Sequence, residues 1–530
     1  MLGLHIDLKW STPKKQYLKR ILIQAKRFGI DTILLEFENK IYIDWLKQAI
    51  HPDCWRLKDV KWFRELCSEL NLTIIPKVPL MGHMEWILQW PWWAHLRENN
   101  DFHEICPNHP ETPEFVKRLL ADVIKLFPDS PIIHLGGDET GSLATCQRCR
   151  NTRKSKAQIY IEHYLPLISQ VQAAGKRAMI YSDMILAHPK ALDDLPRDVI
   201  IADWDYWSGT GELNGARVWG YGFVSDKKEF DRSAKSYRKF KKYIFDKTGK
   251  PVSFPYVDFL QEQGFDVVIF TSARCGGDNY CVPKSLYHIK NTYAGSIKAR
   301  GNQCMGTLIT SWAVRFNHFE TNWPAIFSGA YTYFNPSITI EELSEIFAEQ
   351  FFGCHWKTCF EDLDLLSDIL PDLQSAPHFD GLYADPYPPD IVHRYVKYLY
   401  QDSNSQYAKN AKSKLPYVSK KYKKGYKILE KRDSSIRKNK LAYEIWKLSA
   451  KTLVHKAEAL PVIMNISQGK AVPSGTRAKL LRNIGVLEGK YRQIFGKTFK
   501  PISLQMEIDM RFKEERELIA SAKKLRSNKQ

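Results

Sequence analysis

The feature that most constrains the fold of this chain is a regular alternation of short apolar segments and amphipathic helical segments from residue 2 to about residue 333. Such an alternation is typical of parallel βα units, whose inner strands are apolar on both faces. Strands are predicted at residues 2–7, 32–38, 73–79, 132–138, 177–183, 199–204, 266–272 and 305–312. Because no glycine-rich dinucleotide-binding motif follows the first strand, these eight units predict a (β/α)8 TIM barrel rather than a doubly wound sheet.

The first predicted helix carries clear start and stop signals. Ser11 and Thr12 are suited to cap it and Pro13 to occupy its first turn, and apolar residues then recur at helical spacing up to Gly29. The sequence therefore predicts a helix that begins directly at this cap.

The alternation stops near residue 337, which predicts a second part of the chain. Residues 1–335 are expected to form the catalytic barrel, and residues 336–390 a final helix and a linker rich in Pro, Asp and Tyr. Residues 391–530 are expected to form a basic α-helical C-terminal domain. At 530 residues the chain is also too long for one ordinary compact core.

Charge separates these two parts. Residues 391–530 contain 33 Lys and Arg against 11 Asp and Glu, a net charge of +22, whereas the whole chain carries +19. Such a region could bind nucleic acid, another acidic polymer or an anionic membrane. Its aromatic residues recur at helical intervals, which favours the solvated face of a packed helical bundle and predicts no specific nucleic-acid partner.

Several features bear on the compartment. The N-terminus has neither the basic start nor the apolar core of a signal peptide, and no apolar stretch is as long as a membrane span. Ten irregularly placed cysteines do not form a disulfide framework, so they are interpreted as thiols. The predicted location is the cytoplasm, and the sequence does not specify an oligomeric state.

The most informative single segment is residues 131–140, which read PIIHLGGDET. A short apolar run ends in two glycines and the adjacent acids Asp138 and Glu139, as expected of a buried strand that ends at a site. An acid pair that merely caps the next helix is the alternative. In a TIM barrel, however, functional groups lie at the C-terminal ends of strands.

The other predicted strands also end in chemically active side chains. They are Asp7, Glu36, Glu38, His83, Glu85, Tyr181, Asp183, Trp204, Asp205, Tyr206, Arg274, Asp278, Trp312, Arg315, Asn317 and His318. Carboxylates together with tryptophans at a barrel mouth suggest carbohydrate cleavage. Since adjacent acids do not easily flank a sugar, the pair suits a mechanism in which the substrate's own 2-acetamido group is the nucleophile.

The chain resembles family-20 glycoside hydrolases, most closely the hexosaminidase D type, which is a barrel without the N-terminal β-domain of the lysosomal enzymes. The resemblance rests on nine segments between residues 4 and 319, in the family's order: LHIDLKWSTPKKQYL, LLEFENKIYID, IIPKVPLMGHMEWIL, WAHLRE, IIHLGGDET, YSDMIL, ADWDYW, TSARCGGD and LITSWAVRFNHF. It implies a retaining exo-β-N-acetylhexosaminidase that acts on glycans with terminal β-linked GlcNAc or GalNAc and needs no cofactor. A carbohydrate-binding or scaffolding protein that keeps the barrel is the alternative.

The resemblance also implies the catalytic residues. Asp138 would hold the acetamido N–H, Glu139 would act as general acid and then as base, and His83 would tune that acid. Glu38 is the expected carboxylate partner of His83, and Tyr206 the expected donor to the oxazoline oxygen. A buried histidine bonded to a backbone carbonyl is the alternative for His83.

Other strand-end residues are expected to bind the sugar. Trp204 and Trp312 match indoles that wall the acetamido methyl and the sugar face, although tryptophan is more often plain core. The further candidates are Tyr181, Asp183, Arg274, Asp278, Arg315 and His318, with Glu38 as an additional hydroxyl-binding group.

The chain departs from the lysosomal-type members of the family at residues that read sugar hydroxyls. It has Trp10 in place of an arginine, Tyr181 in place of a tryptophan, Ala313 and Val314 in place of Gly-Glu, and no tyrosine in the segment Thr271–Arg274. The preference for GlcNAc or GalNAc is therefore open.

One motif outside this resemblance is the pair Cys146 and Cys149, which has zinc-like spacing. A structural zinc needs four ligands, and the sequence contains no second Cys-x-x-Cys. The favoured interpretation is therefore a surface loop with two thiols and no metal.

Overall fold

The computed structural model describes residues 1–9, 11–279, 281–313, 317–370 and 406–522. Within them, eight parallel strands close into a barrel in which each strand pairs with its chain neighbours and the first pairs with the eighth. From first to eighth the strands are Leu2–Asp7, Thr32–Glu36, Thr73–Lys77, Ile132–His134, Arg177–Tyr181, Ile200–Trp204, Asp266–Arg274 and Gly306–Ser311. The predicted TIM barrel is confirmed.

Five of the eight strands, the second, third, fourth, fifth and eighth, end earlier than predicted, and their ends lie at the barrel mouth. The fourth strand stops at His134 because Gly136 and Gly137 take φ values of +70° and +94°, which an extended strand does not allow. The second strand stops at Glu36 and is followed by a 3₁₀ turn, Glu38–Lys40. These early endings leave room for irregular backbone where functional groups are expected.

Helices surround the barrel and fill the connections between its strands. In chain order they are Lys15–Arg27, Leu57–Glu69, Glu85–Leu88, Thr112–Leu126, Gln147–Asn151, Lys156–Ala173, Asp183–Ala187, Ala191–Asp194, Lys227–Phe230, Lys241–Ile244, Tyr256–Glu262, Ser285–Gly301, Trp323–Phe334, Ile340–Phe347 and Cys359–Asp364. Two small antiparallel hairpins are inserted, Arg97–Glu98 with Asp101–Ile105 and Ala216–Val218 with Gly222–Val224. The second hairpin belongs to a long insertion between the sixth and seventh strands.

The first helix begins at Lys15 rather than at the predicted cap. The backbone N–H of Thr12 donates to Ser503 Oγ at 3.0 Å, and Pro13 forms an antiparallel bridge with Phe499. The segment that looks like a cap in the sequence is therefore used to bind the C-terminal part of the chain.

Four long helices form that part: Gln406–Arg432, Lys440–Ser467, Ser474–Phe495 and Pro501–Ser521. The predicted helical C-terminal region is thereby confirmed, while its predicted boundaries stay a prediction, since residues 371–405 lie outside the described ranges.

The C-terminal helices pack on the mouth of the barrel, on one side of it. Thr498 accepts a hydrogen bond from the Lys14 backbone at 2.7 Å, and Lys500 Nζ donates to the Asp53 carbonyl at 2.8 Å. His318 Nε2 lies 3.1 Å from Thr498 Oγ1. The contacted loops follow the first, second, seventh and eighth strands.

Hydropathy along the helices bears on membrane association. In the portion of the chain that the structure describes, no helix combines the length and the apolar character needed to cross a bilayer.

Candidate active site

The candidate site lies at the carboxyl-terminal end of the fourth strand. Asp138 and Glu139 follow this strand after Gly136 and Gly137. A Cβ atom on Gly137 would lie 2.5 Å from the hydroxyl of Tyr160, so only glycine lets the chain turn at this point. The turn places both carboxylates at the mouth of the barrel.

One histidine joins the two carboxylates. His83 Nε2 lies 3.3 Å from Asp138 Oδ2 and 3.3 Å from Glu139 Oε2. Asp138 is buried, whereas the side chain of Glu139 is 53% exposed. Burial opposes ionisation of Asp138, but the charges of His83 and Lys77 outweigh it and hold the pKa of Asp138 below its usual range. An anion that stays ionised near neutral pH thus lies beside a carboxyl group that a substrate can reach.

His83 is itself held by a second histidine and a carboxylate. Glu85 Oε1 lies 2.5 Å from His103 Nδ1 and 3.9 Å from His83 Nδ1, and the two imidazole centroids are 4.4 Å apart. Burial lowers the pKa of His83, but Asp138 in particular raises it well above its usual value. The pKa of Glu85 falls to about 2, since His103 outweighs the effect of burial. The neighbouring acids therefore favour the protonated form of His83.

The structure corrects the predicted partner of His83. Glu38 Oε1 is paired with Lys9 Nζ at 2.9 Å, and Glu85 provides the carboxylate near His83 instead. Burial raises the pKa of Glu38 to about 8. The reason for the difference is the 3₁₀ turn after the second strand, which directs Glu38 toward the loop that follows the first strand.

Three residues of this site have a strained backbone conformation. The backbone φ values are +39° at Glu38, +55° at His83 and +53° at Glu139. Residues other than glycine rarely adopt this region. Each such residue costs about 1–3 kcal/mol, and positions of this kind cluster at functional sites. The strain therefore supports a functional role for this part of the barrel mouth.

Asp183 connects the acid pair to an indole. Its Oδ2 atom accepts the Glu139 backbone N–H at 2.9 Å, and its Oδ1 atom accepts the Trp204 indole N–H at 3.2 Å. Asp183 is buried, and burial together with the charge of Asp138 raises its pKa to about 8. This residue, predicted to bind sugar hydroxyls, thus positions the general-acid candidate and the aromatic wall.

Aromatic side chains line the mouth next to the acids. The Trp312 indole N–H donates to the Tyr206 hydroxyl at 2.8 Å, and the Trp204 and Tyr206 rings are 5.1 Å apart. Trp219, from the second hairpin, packs 4.5 Å from Trp204, and the partly exposed Trp207 lies 5.6 Å from it. Sequence reasoning missed Trp219, because nothing local relates the hairpin to the sixth strand.

A buried ion pair lies beneath this aromatic surface, and the sequence analysis did not single out its cation. Lys77 Nζ is 2.9 Å from Glu36 Oε2 and 4.6 Å from the Trp312 ring centroid, and His5 Nε2 is 3.1 Å from the same Glu36 oxygen. Tyr181 is fully buried, with its ring 5.3 Å from Lys77 Nζ. A lysine inside an otherwise apolar strand was the available signal.

Two predicted sugar-binding residues are engaged by the protein instead. Asp278 accepts hydrogen bonds from His288 Nε2 at 2.7 Å and from the Lys284 backbone at 3.0 Å. Both ring nitrogens of His318 have protein partners, one of them Thr498 of the C-terminal helices. Since both side chains are buried and occupied, the structure does not support their predicted role in sugar recognition.

The two predicted arginines have different outcomes. Arg274 is buried and donates to the carbonyl oxygens of Ser311 at 3.0 Å and Asn317 at 2.5 Å, so its guanidinium supports the backbone at the end of the eighth strand. Arg315 lies outside the described residues.

The arrangement can support acid–base chemistry on a sugar. A reachable carboxyl beside a fixed anion and an imidazolium can protonate a leaving oxygen while the anion stabilises developing positive charge. Side chains suited to a metal also converge nearby, and one such group contains three thiols. It consists of Glu98, Cys106, Cys146 and Cys149.

Comparison with known proteins agrees with this chemistry. Residues 59–246 match the family model for the catalytic domain of glycosyl hydrolase family 20. Hexosaminidase D from Homo sapiens is 25% identical over 331 residues, and the match covers 60% of this chain and 60% of the human protein. Hexosaminidase D from Bos taurus is 26% identical over 339 residues, which cover 60% of this chain and 85% of the bovine protein. The resemblance to family-20 glycoside hydrolases indicated by the sequence segments is confirmed.

Among solved structures, β-N-acetylhexosaminidase from Bacteroides fragilis NCTC 9343 is similar to this chain with a TM-score of 0.47 and 16% sequence identity. The superposition covers 66% of this chain and 70% of the Bacteroides chain.

Proposed function

We propose that this protein is a retaining exo-β-N-acetylhexosaminidase that removes terminal β-linked GlcNAc or GalNAc from a glycan. The observation that carries the proposal is the adjacent pair Asp138 and Glu139, which converge on one nitrogen of His83 beside indole and phenol rings. The match to family-20 catalytic domains supports the same class of reaction.

The reaction is substrate-assisted. Both carboxylates contact a single imidazole nitrogen, which favours their action on one side of the sugar rather than on opposite faces. The 2-acetamido carbonyl oxygen of the substrate then attacks C1 and forms the second C–O bond of an oxazolinium ring as the glycosidic C1–O bond breaks. Net retention results, because water later opens this ring from the face that the leaving group occupied.

Proton transfer falls to Glu139, the more exposed of the two acids. It protonates the departing glycosidic oxygen and afterwards removes a proton from the attacking water. The His83 imidazolium, 3.3 Å away, stabilises the carboxylate that Glu139 becomes after the first transfer.

Charge stabilisation falls to Asp138. Its pKa is held below the usual range, so the carboxylate is available to accept the acetamido N–H and to offset positive charge on the oxazolinium ring. The hydroxyl of Tyr206 accepts the Trp312 N–H and can therefore direct its own proton toward the acetamido oxygen. Trp204 and Trp312 provide apolar surface for the acetamido methyl and the sugar face.

A reducing compartment, the cytoplasm, is part of the same proposal. All ten cysteines are free thiols in the structure, including the buried Cys67 and Cys359. Free thiols in such number are expected of a protein that functions where disulfides are kept reduced.

Hydrolysis of chromogenic β-GlcNAc, β-GalNAc and β-galactoside substrates, measured side by side with the full chain, tests the proposal. The two acetamido sugars should be cleaved and the galactoside should not, because it lacks the internal nucleophile. Cleavage of the galactoside at a similar rate would contradict the substrate-assisted mechanism. Binding of N-acetylhexosamines without turnover would instead identify a carbohydrate-binding barrel or scaffold.

A further inference from the structure

A group of three cysteines and one glutamate lies beside the loop that follows the acid pair. Glu98 lies in the hairpin formed by Arg97–Glu98 and Asp101–Ile105, and Cys106 directly follows this hairpin. Cys146 and Cys149 come from the N-terminal end of the helix Gln147–Asn151. Glu98, Cys106 and Cys149 are almost fully buried. The sequence-based interpretation of Cys146 and Cys149 as surface thiols is therefore wrong for Cys149.

The distances within this group match those of a tetrahedral metal site. Cys106 Sγ lies 3.6 Å from Cys146 Sγ and 3.6 Å from Cys149 Sγ, and Cys149 Sγ lies 3.2 Å from Glu98 Oε2. All four ligand atoms lie within 4.8 Å of one another. Zinc bonded to sulfur at about 2.3 Å holds two tetrahedral sulfur ligands about 3.8 Å apart. A disulfide requires about 2.05 Å, so these sulfurs are spaced for a shared cation.

Each sulfur also accepts an N–H donor from the protein. The Cys149 backbone donates to Cys146 Sγ at 3.4 Å, Asn108 Nδ2 donates to Cys149 Sγ at 3.2 Å, and Arg148 Nη1 lies 3.6 Å from Cys106 Sγ. Donors of this kind stabilise thiolates and orient them toward a metal. The Glu98 Oε1 atom accepts the Cys146 backbone N–H at 2.6 Å, which leaves Oε2 directed at the sulfurs.

We propose that Cys106, Cys146, Cys149 and Glu98 bind one zinc ion. Three sulfur ligands select zinc over magnesium or calcium, which prefer oxygen, and four protein ligands form a closed, structural site. Binding replaces three thiol protons, which are released to solvent, with three Zn–S bonds. The sequence contains no second Cys-x-x-Cys to complete the site. The third and fourth ligands are instead Glu98, in the hairpin, and Cys106, which directly follows it.

The zinc ion fastens two segments that carry site residues. The hairpin contains His103. Two hydrogen bonds connect the loop after Glu139 to the same hairpin: the Ser142 backbone N–H donates to Glu104 Oε1 at 2.6 Å, and Ser142 Oγ donates to Asp101 at 2.7 Å. Loss of the zinc ion should therefore make the positions of Asp138 and Glu139 less fixed relative to His83 and His103. The four ligands are positioning residues rather than catalytic ones.

Metal analysis of the full-length protein, purified without chelator, tests this inference. About one zinc per chain is expected, and cobalt substituted for zinc should give thiolate-to-cobalt charge-transfer bands and the visible bands of a tetrahedral site. Cys106→Ser should abolish stoichiometric zinc, whereas Cys304→Ser, a control thiol between the seventh and eighth strands, should retain it.

A milder substitution distinguishes loss of zinc binding from loss of folding. Asn108→Ala removes only the hydrogen bond to Cys149 and should lower zinc affinity about 10–100-fold in a folded protein. Three outcomes would overturn the inference: no zinc with all ten thiols titrating freely, a disulfide among these cysteines, or equal loss of zinc from the Cys304→Ser control.

Discussion

Two sides of the barrel mouth carry the same kinds of strand-end residue but differ in what covers them. On the side of the third to sixth strands, His83, Asp138 and Glu139 contact one another, and the Glu139 side chain stays 53% exposed. On the side of the seventh and eighth strands, Asp278 and His318 are buried and bonded to other protein groups.

A polar residue at the end of a barrel strand is therefore not necessarily a binding residue. The C-terminal helices contact the loops after the first, second, seventh and eighth strands. His318 there bonds to Thr498 and so supports packing between the two parts of the chain. On the uncovered side, Glu139 keeps a carboxylate that a substrate can reach. The predictions below test this division, from the largest expected effect to the smallest.

Replacing the reachable acid should have the largest effect. Glu139→Gln should lower hydrolysis of substrates with poor leaving groups about 10²–10⁴-fold, because only these need full protonation of the departing oxygen. Activated aryl glycosides should lose much less, as steady-state kinetics on both substrates would reveal. Glu111→Gln, at an exposed carboxylate, serves as the control. Equal loss on both substrate types would argue against the acid role.

Replacing the fixed anion should come next. Asp138→Asn should lower kcat about 10²–10³-fold, because the acetamido group loses the carboxylate that orients it and offsets its charge. Thiazoline inhibitors should bind the wild type well and this variant poorly in calorimetry. Asp278→Asn, on the covered side, should lower the melting temperature but leave inhibitor binding unchanged. Normal thiazoline affinity in Asp138→Asn would contradict the assignment.

On the covered side, a core substitution should act on stability alone. Phe495 is buried against His318, with ring centroids 4.6 Å apart. Phe495→Ala should lower the free energy of unfolding by about 3–5 kcal/mol through the lost contacts and the cavity. Active-site titration should give an unchanged kcat per folded molecule. Val486→Ala, at an exposed position on the same helix, should change stability by less than about 0.5 kcal/mol.

The charges around His83 predict a pH dependence of stability. The pKa of His83 is raised, mainly by Asp138 acting against burial, so its contribution is complete below its ordinary value of 6.5 and is lost as pH rises through the raised pKa. The pKa of Asp138 is lowered, so its contribution is lost as pH falls below about 4. His83→Gln should therefore reduce the melting temperature most between about pH 4 and 6.5.

The difference in melting temperature between the wild type and His83→Gln should become smaller in alkaline solution. The matched control is His95→Gln, because His95 is half exposed and pairs with an exposed glutamate, Glu111. A gap that stays constant with pH would show that His83 acts by packing rather than by charge.

The smallest effect concerns the basic surface of the C-terminal helices. Lys420, Lys423, Lys424, Lys427 and Lys431 line one groove of the helix Gln406–Arg432. Heparin should bind weakly at low salt and detach near physiological salt, as expected for exposed charges alone. Lys423→Gln together with Lys427→Gln should flatten the salt dependence. A tight complex at physiological salt would instead indicate a dedicated anionic partner.

Local patterns in the sequence account for most of the fold. Apolar periodicity reports burial directly, so the eight strands were predicted close to their observed positions, and the Gly-Gly turn marked the place of Asp138 and Glu139. The partner of His83 was predicted incorrectly, since Glu38 and Glu85 both follow strands and no local pattern states which one reaches the imidazole. Lys77 stands out in the sequence as a charge at the end of a mostly apolar strand, but no local pattern shows that it pairs with Glu36.

The sequence by itself determined the barrel, the helical C-terminal region and the strand that carries the acid pair, because each depends on residues that are close in the chain. Only the tertiary structure decided which strand ends stay open, which are covered by the C-terminal helices, and that Glu98 and Cys106 meet Cys146 and Cys149. These outcomes depend on contacts between segments distant in sequence, whose geometry is set by how loops and helices pack and not by any periodic pattern.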